Sequence, residues 1–301
     1  MELWIPITIG AAFAQNLRFM LQKHLKATHL TAAGATFARY VFSAPLIVML
    51  VLVYLAASGQ SLPDVSRRFF VFGAFGSVVQ ILATVCVVAL FAERNFAVGI
   101  TFKKTEVVLT AIVGYLVLGE GITRLGAVAI LLGLAGVILL SDPPGNTRAS
   151  GLKRVVNRAS LLGLGAGLLF AFSAVAYRGA LTSLSGGTVF LHASFTLACV
   201  TTFQSLLMAV WLHWQQPGEM QRVFRNWRVS GLVGVASMIG SLGWFTAFSL
   251  QTAAYVKALG QIELVFSYLA THFVFHEKSS RRELLAMGLI ILSILLLVLA
   301  L

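Results

Sequence analysis

Phe102-Lys103-Lys104-Thr105-Glu106, running on through Val107 to Glu120, lies in an apolar segment that begins at Asn95. At about 1.5 Å of rise per residue, that segment is long enough to cross a hydrocarbon core of about 30 Å. Two lysines and a glutamate sit in its first half, and Glu106 falls close to its middle. A charge at that depth costs at least about 2.5–3.5 kcal/mol on insertion scales, so it normally faces a partner or a water-filled cavity. The pattern returns 157 residues later, where Glu263 answers Glu106, Ser267 answers Thr110 and Glu277 answers Glu120. Two membrane helices with a central carboxylate in matching positions point to a duplicated pathway across a bilayer.

The rest of the chain agrees. Its 301 residues are 58% hydrophobic and only 11% charged, with a mean hydropathy of +0.91, which excludes an ordinary soluble protein. The formal charge of +12 comes from 22 Lys and Arg against 10 Asp and Glu. Most of the basic residues occupy short connections between apolar runs, where they act as topology signals and contact anionic lipid head groups; nucleic acid is not an expected partner. Cys86 and Cys199 lie inside apolar segments, with neither metal-ligand spacing nor a disulfide framework. The N-terminus has no basic n-region and no A-x-A-like site, so the first apolar run reads as a retained helix.

Apolar runs long enough to span appear at about 4–23, 30–57, 69–92, 95–119, 122–141, 159–183, 187–213, 229–251, 253–276 and 282–301. The expected fold is an all-α membrane protein of ten transmembrane helices, arranged as two five-helix repeats around a central cavity. The first repeat covers 1–144, a basic linker covers 145–158, and the second repeat covers 159–301. The offset also pairs Phe91 with Phe248, Ala97 with Ala254, Arg68 with Arg225, Arg124 with Arg281 and Gln80 with Ser237. Five is odd, so tandem halves must enter the membrane from opposite sides as an inverted repeat, as in many secondary transporters. Alternate connections hold thirteen basic residues on one side and only Arg67, Arg68 and Arg124 on the other. By the positive-inside rule the thirteen face the cytoplasm, which puts both termini outside.

Leu116-Val117-Leu118-Gly119-Glu120, followed by Arg124 and by Gly133-Leu134-Ala135-Gly136-Val137-Ile138-Leu139-Leu140, resembles an EamA-type half of the drug/metabolite transporter superfamily. The second half matches more loosely: Phe275-His276-Glu277 replaces Leu-Gly-Glu, and Ser293 replaces the second glycine. The resemblance implies a ten-helix basket around a central cavity that moves metabolites or drug-like molecules. It also implies termini in the cytoplasm, opposite to the charge count.

On a continuous helix Lys103 and Glu106 are i, i+3 and about 60° apart, so they can pair, while Lys104 points elsewhere, towards another helix or the interface. Thr110 and Glu120 share the Glu106 face. In the second half Gly260 stands for Lys103 and Gln261 for Lys104. Glu263 therefore has no local cation, and must find one across the cavity or be partly protonated. That makes it the better candidate for a coupled proton. Lys257 is either an interfacial lysine or a cavity cation. Arg39, Gln15, Gln80, Trp244 and Tyr177 complete the candidate lining, with Ser267 one turn beyond Glu263, while His192 and Gln204 read as inter-helix hydrogen bonders. Neither a nucleophile–base pair nor a zinc motif nor a dinucleotide fingerprint is visible. The expectation is a secondary active transporter exporting a small solute from a bacterial inner (plasma) membrane, as a monomer or homodimer without cofactor or metal. A solute exchanger or facilitator without proton coupling is the alternative, and an intramembrane enzyme or scaffold a more distant one.

Overall fold

The computed structural model describes residues 2–28, 30–90, 103–140, 158–266 and 281–299. Among them the chain is helical: α1 (Trp4–Thr28), α2 (Ala32–Ser58), α3 (Arg67–Leu90), α4 (Glu106–Leu118), α5 (Arg124–Leu140), α6 (Arg158–Thr182), α7 (Val189–Gln215), α8 (Glu219–Arg225), α9 (Trp227–Leu250), α10 (Ala253–Leu259) and α11 (Arg281–Leu299). Five of these, α2, α3, α6, α7 and α9, are long and apolar enough to cross a membrane, and α4, α5 and α11 are shorter apolar helices. Large apolar side chains such as Met49, Leu52, Leu206 and Leu285 stand more than half exposed, as a lipid-facing surface requires and a water-facing one does not tolerate.

The 157-residue offset is written into the local structure. Thr31 and Thr188 are offset mates, and each caps the second long helix of its half. Thr31 Oγ1 accepts from Gly34 N at 3.0 Å, and Thr188 Oγ1 from Leu191 N at 3.3 Å, each satisfying a helix N–H that would otherwise lack a partner. Packing follows the same offset. α3 lies against α6, and its counterpart α9 lies against α1; α5 packs on its own counterpart, α11. At that last contact a Cβ on Gly133 would stand 2.5 Å from Ser293 Oγ, and one on Gly136 would stand 3.0 Å from Ile290 Cγ1. Each glycine thus meets the offset mate of the other, as expected of two helices related by a local twofold, and Ser293 Oγ donates to Ala129 O at 2.7 Å across the seam.

The ends are tied in matching fashion. Asp64 and Ser185 exchange backbone hydrogen bonds, joining the loop after α2 to the loop after α6. At the other end Glu219 Oε1, fully buried, accepts from Thr31 N at 2.6 Å, joining the loop after α1 to α8.

One expectation needs correcting. The runs 95–119 and 253–276 read as unbroken helices, and both are broken at offset-related points. The first turns at Lys104-Thr105, immediately before α4; the second turns at Gly260-Gln261, immediately after α10. Hydrogen bonds from Gln261 N to Ala258 O, Glu263 N to Gly260 O and Leu264 N to Gln261 O replace i→i−4 by i→i−3 bonding, a local 3₁₀ tightening. Apolar periodicity alone does not reveal such a break, because a turn of one or two residues need not interrupt the run of apolar residues. Phe91, Ala97, Ser267, Glu277 and the linker fall outside the described residues.

Candidate functional site

Each break delivers a carboxylate to the start of a helical segment. Glu106 is the first residue of α4, and Glu263 follows the second turn by two residues. A carboxylate in a first turn lies beside unpaired N–H groups and the positive end of the helix dipole. Both glutamates are then neutralised largely from the opposite half. Lys257 Nζ, from α10, stands 2.6 Å from Glu106 Oε1, and Lys104 from the first half forms an ion pair with Glu263. Lys103 bridges them, 3.4 Å from Glu106 Oε2 and 4.0 Å from Glu263 Oε1. Gln15 Nε2 of α1 donates to Glu263 Oε2 at 3.1 Å.

The Lys103–Glu106 pairing is present, whereas Lys104 does not point away from the site: with the helix broken at Lys104-Thr105, it meets the same Glu263 oxygen that Lys103 approaches. The notion that Glu263 is the less compensated acid does not survive: of the two alternatives open in the sequence, it finds its cations across the interface. Its preference over Glu106 as a proton carrier loses its basis.

Around these charges lies an aromatic wall. The Lys257 ammonium sits 4.8 Å from the Trp244 ring centroid, 5.6 Å from Phe170 and 5.9 Å from Phe248, within range of cation–π attraction. Trp244 also explains why glycine stands at 260: a Cβ there would lie 2.5 Å from Trp244 Cη2. Gln15, Lys103, Lys104, Glu106, Gln261 and Glu263 surround a cavity of about 20 Å³, room for about one water. A second cavity of about 30 Å³ meets it at Gln15, Trp244 and Lys257 and reaches Arg39, Gln80 and Tyr177.

Arg39 is buried, and its guanidinium is held by hydroxyls: Nε donates to Ser237 Oγ at 3.1 Å, Nη1 to Thr84 Oγ1 at 3.0 Å and Nη2 to Ser241 Oγ at 3.4 Å. Next to it, Gln80 Oε1 accepts from Tyr177 OH at 3.0 Å and from Gln204 Nε2 at 2.9 Å, a network joining α3, α6 and α7. Gln204 is therefore the inter-helix hydrogen bonder that its sequence position suggested, whereas the His192 ring meets the nearby Gly186 carbonyl.

Among the described candidates, Thr110 does not join the cavities. Thr110 is buried, and its hydroxyl donates to Glu106 O at 2.7 Å within its own helix. Ser267 lies outside the described residues. Glu120, read as continuing the Glu106 stripe, is turned away. Gly119, at φ +70°, ends α4 in the left-handed region that suits glycine, and Glu120 then accepts from Arg178 Nε at 2.7 Å. Thr84, Ser241, Ser173 and Phe170 line or support the site without having been singled out. Thr84 and Ser241 carried a signal: they are offset mates, one helical turn beyond the offset mates Gln80 and Ser237.

Comparison with known proteins gives the family and the fold. The model of the EamA-like transporter family matches residues 2–142 and again 157–299. A solved crystal structure is similar to the chain with a TM-score of 0.73, covering 98% of this chain and 96% of the other at 14% identity, a likeness of fold alone. No curated protein matches. With two copies of the family pattern accounting for nearly its whole length, the chain belongs to the EamA-like transporter family of the drug/metabolite transporter superfamily, as an integral, multi-pass membrane transporter.

Proposed function

We propose that the protein is a secondary active transporter that exports a small metabolite or drug-like solute from the cytoplasm by alternating access. In this reading ten membrane helices form two inverted five-helix repeats, 1–144 and 159–301, joined by the linker 145–158, in a bacterial inner membrane. The observation that carries it is the reciprocal ion pairing at the two offset-related helix breaks: Glu106 with Lys257, and Glu263 with Lys104. Discontinuous helices meeting at the interface of two repeats are where transporters place substrate and coupling ions. Charges that can exchange partners there let one half move against the other without leaving an ion bare in a low dielectric. The present cavities admit water but no larger solute, which suits an occluded stage of such a cycle.

An exchanger or facilitator without proton coupling is favoured by one specific observation, that both central carboxylates are engaged by lysines. Comparing the metabolites of cells with and without the gene would nominate solutes, and sealed proteoliposomes then decide. Accumulation of the nominated solute against its gradient, driven by a pH difference, is the expected result. Equilibration without accumulation would favour the facilitator, and chemical conversion of the solute would overturn transport.

A further inference from the structure

The two cavities contain a charge imbalance. Among the described residues, Arg39, Lys103, Lys104 and Lys257 line them and Arg18 is also buried, against the carboxylates of Glu106 and Glu263. Both carboxylates are occupied by the three lysines. Arg18 donates to Gln22 Oε1 at 2.7 Å and stacks 4.2 Å from the Phe19 centroid, away from the lining. Arg39 is different: it lines the larger cavity, is only 5% exposed, and meets only uncharged groups among the described residues, three hydroxyls and the Tyr40 ring, whose centroid lies 5.0 Å from its Cζ. A buried cation is costly unless an anion meets it.

We propose that the cavity at Arg39 is the subsite for the carboxylate of the transported solute, an inference that rests on the transporter reading above. Three hydroxyls engage Nε, Nη1 and Nη2 once each, and a guanidinium has five N–H groups. One donor therefore remains on each terminal nitrogen for an acceptor, and the single positive charge matches a monoanion. A second donor points to the same chemistry. Trp244 lines this cavity, is 8% exposed, and its Nε1 has no hydrogen-bond partner among the described residues. Such a group is satisfied by an acceptor, and a carboxylate brings only acceptors. The hydroxyls from α3 and α9 hold the guanidinium between offset-related helix faces, so the anion would be felt by both halves of the protein.

Acetate carries the carboxylate without the rest of the solute and enters the subsite when the cycle widens the present water-sized cavity, and acetamide is its neutral counterpart. Thermal unfolding of the purified full chain, at constant ionic strength, is expected to shift upward with acetate in a saturable way and not with acetamide. Arg39→Gln should weaken the acetate response about tenfold or more while leaving the ligand-free protein at least as stable as the parent. Trp244→Phe, which keeps an aromatic ring but removes the indole N–H together with part of the ring system, should weaken it less, and serves where Arg39→Gln does not fold. An equal response to acetamide, an undiminished response in both variants, or a response to inorganic phosphate but not acetate would overturn the assignment. Flux in proteoliposomes without any acetate response would sink this inference alone; an Arg39-dependent acetate response without flux of any nominated solute would sink the transporter reading and leave the anion subsite standing.

Discussion

Lys257 Nζ lies 2.6 Å from Glu106 Oε1, so the central carboxylate of the first half is neutralised by a lysine of the second. Lys104 returns the arrangement to Glu263, the offset mate of Glu106. The two half-helices are held to each other by charge at the point where each is broken. Apolar packing fixes the outer helices, while the moving parts of the proposed cycle are joined by contacts that can be exchanged.

Removing one charge from this group should therefore cost more than removing a pair. Glu106→Gln leaves Lys103 and Lys257 buried without their carboxylate, and is expected to destabilise the protein by about 3–5 kcal/mol. Glu106→Gln combined with Lys257→Met should recover a large part of that loss. Thermal or denaturant unfolding of the two variants checks it. Additive losses would show that the pair does not act as a unit.

The Gly260 turn gives a second expectation. An alanine Cβ would lie 2.5 Å from Trp244 Cη2 and 3.2 Å from Cζ3, so Gly260→Ala must displace the indole that lines both cavities. A cost of about 1–3 kcal/mol and loss of transport are expected. Gly165→Ala in α6 is the control: its Cβ meets nothing within 4 Å, so it should be neutral or slightly stabilising. Equal effects in the two variants would remove the special role of position 260.

Much of this was legible in the sequence, and the part that was not has a physical cause. Hydropathy located the long helices, because burial in lipid demands continuous apolar runs. The offset found Glu106, Glu263, Gln80 and Ser237, because two copies of one repeat keep corresponding residues in register. The breaks at Lys104-Thr105 and Gly260-Gln261 stayed hidden, since a turn of two residues leaves the hydrophobic pattern intact. The partners of Glu263 stayed hidden too, because pairing between halves depends on how the halves meet, and no local spacing encodes that. The helical wheel assigned Glu120 to the Glu106 stripe by assuming that α4 continues through Gly119, where it ends.

Glu120 and Arg178 form a separate tie. Arg178 Nε donates to Glu120 Oε1 at 2.7 Å and its Nη1 donates to Phe248 O, so one guanidinium joins the end of α4 to α6 and the end of α9. Glu120→Gln should cost about 1–3 kcal/mol in unfolding experiments. Arg178→Lys should not restore the parent, because an ammonium lacks the planar fork that reaches both acceptors. Parental stability in Arg178→Lys would reduce the contact to a simple charge pair.

Orientation is the last expectation. The loops after α2 and α6 are joined by the Asp64–Ser185 bonds, and the loop after α1 is joined to α8 by Thr31 and Glu219, so each pair shares one side of the membrane. The α1 and α8 side carries Lys23, Lys26, Arg222, Arg225 and Arg228; the α2 and α6 side carries Arg67 and Arg68. The positive-inside rule then places α8 in the cytoplasm and Ser61 outside. Ser61 and Gln221 are both exposed, which makes them suitable for single-cysteine labelling once Cys86 and Cys199 have been replaced. An impermeant maleimide added to intact cells should label Ser61→Cys at once and Gln221→Cys only after the membrane is opened. The reverse pattern would place both termini in the cytoplasm, and the excess of Lys and Arg would then need another explanation, such as contact with anionic head groups on the outer face.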